Sequence, residues 1–297
     1  MGDTAAETAV AEITRVGVVG CGLMGSGIAE VCARNGLDVT IREVDQGALD
    51  AGQRRITASL DRGVRNEKIG ASERDAALGR LTFTTDIGDL ADRQFVVEAI
   101  AENELIKSEL FRTLDKVVED PTAIFASNTS SVPIMKLGIA TARPEQVIGV
   151  HFFNPVPVLK LVELVPSLLT GQQTIDRTEA LVSGPLGKQV VRSPDRAGFV
   201  VNALLVPYLL SGIRMLESGF ASATDIDTGM VLGCSHPMGP LALCDLIGLD
   251  TIRAVAESLY DEFKEPLYSP PPLLSRMVDG GLLGKKSGRG FHDYRAA

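Results

Sequence analysis

The chain has little of several things, and each shortage narrows what it can be. Four cysteines occur in 297 residues, Cys21, Cys32, Cys234 and Cys244, and none stands in CxxC or zinc-ligand spacing. Neither a disulfide framework nor a metal site is expected, and free thiols of this kind fit a reducing compartment, the cytoplasm. No apolar run approaches the roughly 20 residues that span a bilayer, so no membrane partner is expected. The leader MGDTAAETAVAE is too acidic for a transit peptide and lacks the apolar core of a signal peptide, while Ala6 spoils a myristoylation match. With a net charge of −9 and no long basic stripe to offset it, nucleic acid is not an expected partner either. Internal repeats and low-complexity tracts are missing too.

What is present is a globular composition, 45% hydrophobic, in a chain long enough for two domains. Its most informative stretch is VGVVGCGLMGSGIAEV at 16–31. β-Branched residues Val16, Val18 and Val19 lead into Gly20, Gly22 and Gly25 in GxGxxG spacing, and Ile28 and Val31 then follow at helical spacing. Gly20 permits a tight turn, Gly22 lets a pyrophosphate approach the backbone, and Gly25 lets helix and strand pack closely. The free amides at the helix start, from Leu23 and Met24 onward, then face the anion. Gly36 stops the helix, 38–41 resumes a strand, and Glu43 lies about 20 residues past the motif, where an acid holds a ribose hydroxyl. The context points to a bound dinucleotide.

Alternating signals follow, with a helix capped by Asp45, strands at 81–85, 95–99, 123–126, 147–150, 159–165 and 189–191, and helices at 103–118 and 175–186. Such alternation predicts a Rossmann-type, doubly wound, mainly parallel α/β sheet. From Phe199 onward apolar residues recur at helical spacing and strand signals become scarce, with helices expected at 225–232, 241–263 and 273–278. The expected division is a cofactor domain over 1–193 and an all-α C-terminal domain over 194–297. GLLGKKSG near the end lacks the residues of a phosphate loop and reads as a turn.

Few residues can move a proton. The histidines are His151, His236 and His292, and only His151 ends a strand of the sheet, beside the proline-shaped segment HFFNPVP. It is either a structural hydrogen-bonding residue or a reacting one. Glu163 interrupts LKLVELV, where a buried carboxylate costs several kcal/mol unless paired. Two readings stand: an edge strand with Glu163 in water, or a pair with His151 across neighbouring strands, which would fix the imidazole tautomer. SNTSS at 127–131 is a hydroxyl-rich turn or a ligand loop, and Asn202 sits in an apolar helix face where its amide needs a partner. The cations Arg54, Arg55, Arg62, Arg65 and Lys68 form either a solvated helix face or a landing strip for phosphate.

Taken together, VGCGLMGSGIAEV, VVEAIAEN, FASNTSS, GVHFFNPVPVLKLVELV, GFVVNALLVPYL, HPMGPLALCDLIGLD and GKKSGRGF resemble the short-chain L-3-hydroxyacyl-CoA dehydrogenases, of the 3-hydroxybutyryl-CoA dehydrogenase type. The likeness runs from about Arg15 to Tyr294. It implies hydride transfer between (S)-3-hydroxyacyl-CoA and a nicotinamide cofactor, with His151 as base, Glu163 as its partner, and Ser130 and Asn202 on the reacting oxygen. It also implies cofactor contacts from Gly20, Gly22, Leu23, Met24, Gly25, Glu43, Glu102, Lys107 and Ser130, an acyl-CoA substrate, and a homodimer through the C-terminal helices; on the landing-strip reading of the basic segment, the CoA phosphates then meet Arg54 and Arg55. The family usually has Pro-Gly-Phe and an arginine where this chain has Ala197-Gly198-Phe199 and Ala203. Glu43 favours NAD by repelling a 2′-phosphate, whereas the adjacent Arg42 keeps NADP open. Two other readings remain: a dehydrogenase of a free hydroxy acid on the same fold, and a noncatalytic dinucleotide-binding protein.

Overall fold

The computed structural model describes residues 12–295. The expectation placed on the leader therefore falls almost wholly outside the described residues. Contacts divide the chain into two units, 1–195 and 196–297.

In the first unit the strands are β1 (Arg15–Val19), β2 (Asp38–Arg42), β3 (Leu81–Thr84), β4 (Phe95–Glu98), β5 (Ile124–Ser127), β6 (Val147–Phe152), β7 (Leu161–Val165) and β8 (Gln189–Arg192). They form one sheet in the order β3-β2-β1-β4-β5-β6-β7-β8. Every neighbouring pair is parallel except β6 and β7, which run antiparallel. Parallel strands covered on both faces are apolar throughout, and Val16, Val18, Val39, Ile41, Val96, Ile124, Ile148 and Val150 are all fully buried.

The helices of this unit are α1 (Leu23–Arg34), α2 (Gln46–Arg65), α3 (Ala71–Leu78), α4 (Glu104–Val117), α5 (Ile134–Gly138) and α6 (Gln172–Ser183). Local chemistry sets several of their ends. Asp45 accepts from the Ala48 amide at 2.8 Å and caps α2, and Asn103 does the same for α4 through Ile106 at 3.1 Å. Gly36, at φ +91°, closes α1.

The second unit holds α7 (Val201–Glu217), α8 (Ala223–Cys234), α9 (Pro240–Ile247), α10 (Leu249–Phe263) and α11 (Pro272–Asp279) around Leu209, Leu210, Ile213, Leu241, Leu249, Leu259 and Leu274. A single helix over 241–263 was expected, and the structure breaks it. Gly248 adopts φ +105° between α9 and α10, a conformation closed to L side chains that lets the chain turn without losing either apolar stripe. The expected strand at 159–165 begins at Leu161 instead, because the proline-rich segment before it is turned rather than extended. GLLGKKSG carries a single short turn of helix at Lys285–Ser287, as its failed phosphate-loop match implied. Among the described residues no helix is long and apolar enough to cross a membrane.

Candidate active site

The glycine turn lies between β1 and α1, and its three glycines meet different surroundings. Gly20 has φ +92°, and a Cβ there would come within 2.7 Å of the Ala99 carbonyl oxygen. At Gly25 a Cβ would sit 1.8 Å from the Gly20 carbonyl oxygen, so the turn itself forbids any side chain. Gly22 differs: its backbone is extended and nothing lies within 4 Å of a Cβ built on it. Protein packing does not demand glycine at this position, and its bareness keeps the space before α1 clear. Gly22 caps α1 without a side-chain hydrogen bond, which leaves the first amides of the helix, including those of Leu23 and Met24, for an anion.

Glu43, just past β2, accepts from the Cys21 amide at 2.5 Å and from its neighbour Val44 at 3.0 Å. Its carboxylate therefore stands beside the turn, where a dinucleotide ribose belongs. The donor set fits NAD: bare helix amides for the pyrophosphate and a fixed carboxylate for ribose hydroxyls. Arg55 Nη1 donates to the Cys21 carbonyl at 2.7 Å and reaches the Ser26 hydroxyl at 3.3 Å, so it braces this turn from α2. Arg54 is exposed on the same helix, as are Arg62 and Arg65, and Lys68 is exposed just beyond its end.

The pair of His151 and Glu163 is built by the one antiparallel step in the sheet. β6 and β7 pair with His151 directly opposite Glu163, and the alternation of side chains then puts both on one face. His151 Nδ1 lies 2.7 Å from Glu163 Oε2. Glu163 is fully buried and His151 is 7% exposed. β8 covers the outer edge of β7, which removes the reading of Glu163 as an edge carboxylate in water. An ionised carboxylate accepts only, so with Glu163 ionised Nδ1 carries the hydrogen in this bond. The segment joining the two strands is clamped by Lys188, whose Nζ donates to the Val156 and Leu159 carbonyls at 2.6 and 2.8 Å. Burial lowers the pKa of this amine.

Ser130 stands on the loop after β5, and that loop hangs on one carboxylate. Glu102 Oε1 accepts from the Thr129 hydroxyl at 2.5 Å, the Ser130 and Ser131 amides at 2.9 Å each, and the Ser131 hydroxyl at 2.8 Å. Lys107, 1% exposed, lies 3.1 Å from Oε2. Burial by itself would raise the Glu102 pKa, but the Lys107 charge and the hydrogen bonds from Thr129, Ser131 and Lys107 outweigh it and hold the group at about 2. A depressed folded-state value means stability present above the ordinary carboxylate range and lost as pH falls towards about 2. Glu102→Gln is therefore expected to destabilise the protein at pH 7 by about 1 kcal/mol, its open side being screened by solvent. That difference from wild type should shrink between pH 5 and pH 3 in urea unfolding, on the order of the titration range. A difference that stays constant over that range would show that the charge is not what matters.

Asn128 ties the same loop to the histidine strand, its Oδ1 accepting from the Phe152 amide at 2.9 Å. Asp195 holds the loop's far side by accepting from the Ile134 and Met135 amides at the start of α5, at 2.8 and 2.7 Å. Ser130, His151 and Glu163 are thus assembled at the carboxyl end of β5 and β6 within the first unit, and Asn202 lies in the first turn of α7 in the second. The other histidines serve the second unit: His236 pairs with Tyr208 at 3.1 Å and His292 with Asp227 at 2.8 Å.

Sequence reasoning passed over Glu98, Asn128, Lys188 and Asp195. Glu98 had a signal, since it interrupts the apolar run FVVEAI in the way Glu163 interrupts LKLVELV. Asn128 lay within the SNTSS segment but with no role of its own, and Lys188 and Asp195 act by reaching backbone groups distant in sequence, where no local pattern marks them.

Comparison with known proteins agrees with this architecture. Residues 15–196 match the 3-hydroxyacyl-CoA dehydrogenase NAD binding domain, and residues 198–294 match the 3-hydroxyacyl-CoA dehydrogenase C-terminal domain. A 3-hydroxybutyryl-CoA dehydrogenase of Mycobacterium tuberculosis is 61% identical over 282 residues, covering 95% of this chain and 99% of that one. The human mitochondrial hydroxyacyl-coenzyme A dehydrogenase is 42% identical over 292 residues, covering 95% of this chain and 92% of that one. The crystal structure of (S)-3-hydroxybutyryl-CoA dehydrogenase PaaH1 from Ralstonia eutropha superimposes with a TM-score of 0.90 at 44% identity, covering 95% of this chain and 99% of that one. The chain belongs to the 3-hydroxyacyl-CoA dehydrogenase family and is an NAD-binding oxidoreductase.

Proposed function

We propose that this enzyme interconverts (S)-3-hydroxybutyryl-CoA and acetoacetyl-CoA, with His151 as the acid and base. The observation that carries the reading is the 2.7 Å bond between His151 Nδ1 and Glu163 Oε2 in a buried, in-register pair. In the oxidative direction His151 Nε2 takes the proton of the 3-hydroxyl, and in the reductive direction it returns one to the ketone oxygen. Glu163 keeps the ring in the tautomer that presents Nε2 and offsets the charge of the imidazolium. Ser130 and Asn202 hold the reacting oxygen, and positioning of this kind supplies a large share of the rate. A bound nicotinamide would supply the hydride chemistry at carbon 3 of the substrate, the hydrogen leaving or arriving with its electron pair.

Gly20, Gly22, Leu23, Met24, Gly25 and Glu43 hold the pyrophosphate and ribose of the cofactor, and Glu102, Lys107 and Ser130 border its nicotinamide half. Glu43 disfavours a 2′-phosphate, so NAD is preferred to NADP. The division of labour is a cofactor domain over 1–193 and a substrate and dimerisation domain over 194–297. The enzyme works in the cytoplasm as a homodimer joined through its C-terminal helices. Sedimentation is expected to give twice the mass of 31.5 kDa, and a single-chain mass would remove the dimer.

Arg54 is exposed on α2 and takes a phosphate of CoA, with Arg55 beside it. Arg54→Ala is expected to raise KM for acetoacetyl-CoA about three- to tenfold, the range of a screened surface charge pair up to a charge-assisted hydrogen bond. KM for NADH should stay constant. Arg55→Ala should raise both constants because Arg55 also braces the glycine turn. Unchanged KM for acetoacetyl-CoA in Arg54→Ala would place the CoA phosphates elsewhere.

A further inference from the structure

Glu98, like Glu163, has no exposed surface, and the reaction as proposed uses only Glu163. Glu98 is the last residue of β4, in register with Val19 of β1 on one side and Ser127 of β5 on the other. In this strand order β1 and β4 flank the point where the sheet changes its direction of growth, the crevice where open α/β sheets bind ligands.

Its donors come from three separate segments. The Ile100 amide reaches Oε1 at 2.7 Å, the Lys107 ammonium reaches Oε1 at 2.5 Å, and the Ser127 hydroxyl reaches Oε2 at 2.5 Å. Ile100 belongs to the stretch directly beneath the glycine turn, where a Cβ on Gly20 would touch the Ala99 carbonyl and the Ile100 side chain at 2.7 and 3.0 Å. Lys107 joins Glu98 to Glu102, and Glu102 carries the backbone of Ser130 and Ser131. Ser127 begins the same loop and also receives the Thr129 amide at 3.2 Å. One buried carboxylate therefore touches the support of the cofactor turn and both ends of the hydrogen-bonded system that holds Ser130.

A buried ion pair is weak evidence for stability, since desolvation of two charges consumes most of their attraction and apolar residues pack as well. What this arrangement provides is register between the two loops. We propose that Glu98 is a positioning residue for the dehydrogenase reaction, acting through Lys107 and Glu102 to hold the Ser130 loop in register with the floor of the glycine turn. The inference rests on the assignment of Ser130 to the reacting oxygen.

Glu98→Gln keeps the volume and replaces an acceptor oxygen by an NH2 group that faces a donor, Lys107 or Ser127. In the cofactor-free variant, hydrogen exchange at the Ser130 and Ser131 amides is expected to rise about tenfold, the scale of one coupled contact in a network. The Kd for NADH, read by fluorescence titration, should rise by a similar factor. With acetoacetyl-CoA, kcat should fall about tenfold with KM changing little, and the double variant with Ser130→Ala should be no slower than Ser130→Ala alone. If exchange at both amides and the NADH Kd match wild type while only Tm falls, Glu98 is structural and the proposal is overturned. Should Glu98→Gln fail to fold, Glu98→Gln with Lys107→Met removes the uncompensated ammonium; wild-type exchange and Kd in that protein would overturn the proposal equally. A wild-type enzyme inactive on acetoacetyl-CoA would defeat the substrate assignment, and the exchange and NADH measurements would still decide the role of Glu98.

Discussion

His151→Ala lowers kcat for NADH-dependent reduction of acetoacetyl-CoA by about 10²- to 10⁴-fold, the range that general acid–base catalysis supplies. The Kd for NADH stays within about twofold of wild type, because the glycine turn and Glu43 lie on other strands and distant sites act independently. The alanine variant also deprives the buried Glu163 of the 2.7 Å donor it has in the native protein, and a buried acceptor left short of a partner costs about 1–3 kcal/mol. His151→Gln serves as the control, since its amide can still donate towards Glu163 while offering no group that exchanges a proton near neutral pH. Both variants should be slow, and the glutamine variant should be the more stable. Glu163→Gln tests the other half of the pair. It keeps the shape but releases the tautomer, and kcat should fall about 10²- to 10⁴-fold, as it does when a carboxylate that orients a catalytic histidine is made neutral. Wild-type turnover in His151→Ala would end the assignment.

Gly22→Val abolishes tight NADH binding while leaving the fold intact, with an expected rise in Kd of at least about 100-fold, equivalent to about 2.7 kcal/mol. Neighbouring glycines differ in what surrounds them. At Gly22 a side chain meets open space and an ordinary extended backbone, so the protein tolerates it and only a ligand at the start of α1 is excluded. At Gly25 even a methyl group lies 1.8 Å from the Gly20 carbonyl oxygen. Gly25→Ala must therefore open the turn and should lower Tm as well as affinity. Equal losses of stability in the two variants would mean that Gly22 is held by packing and not by the cofactor.

The sheet and the glycine turn were legible because their causes are local: β-branched runs, GxGxxG spacing and an acid at the end of β2. The pairing of His151 with Glu163 was legible as a possibility only, since nothing in the sequence states that β7 runs antiparallel to β6 or that β8 covers it. Those two facts turn an ambiguous carboxylate into a buried partner. The C-terminal helices were visible in their spacing, yet the break at Gly248 was not, because a glycine within a helical pattern reads equally as a tolerated residue until its φ of +105° is seen. Least visible was the support of Ser130. Glu102 was marked by resemblance, but its gathering of the loop depends on side chains and amides 27 to 29 residues away, a distance over which periodicity carries no information.

In the proposed function the His–Glu pair of an NAD-binding sheet serves a CoA thioester rather than a free acid. Its most direct test is NADH oxidation by the wild-type enzyme with acetoacetyl-CoA and, in parallel, with free acetoacetate. Rapid turnover with the CoA ester and at least about 100-fold lower kcat/KM with the free acid are predicted, since binding energy from the remote CoA moiety is used at the reacting carbon. Equal kcat/KM for the two would contradict it.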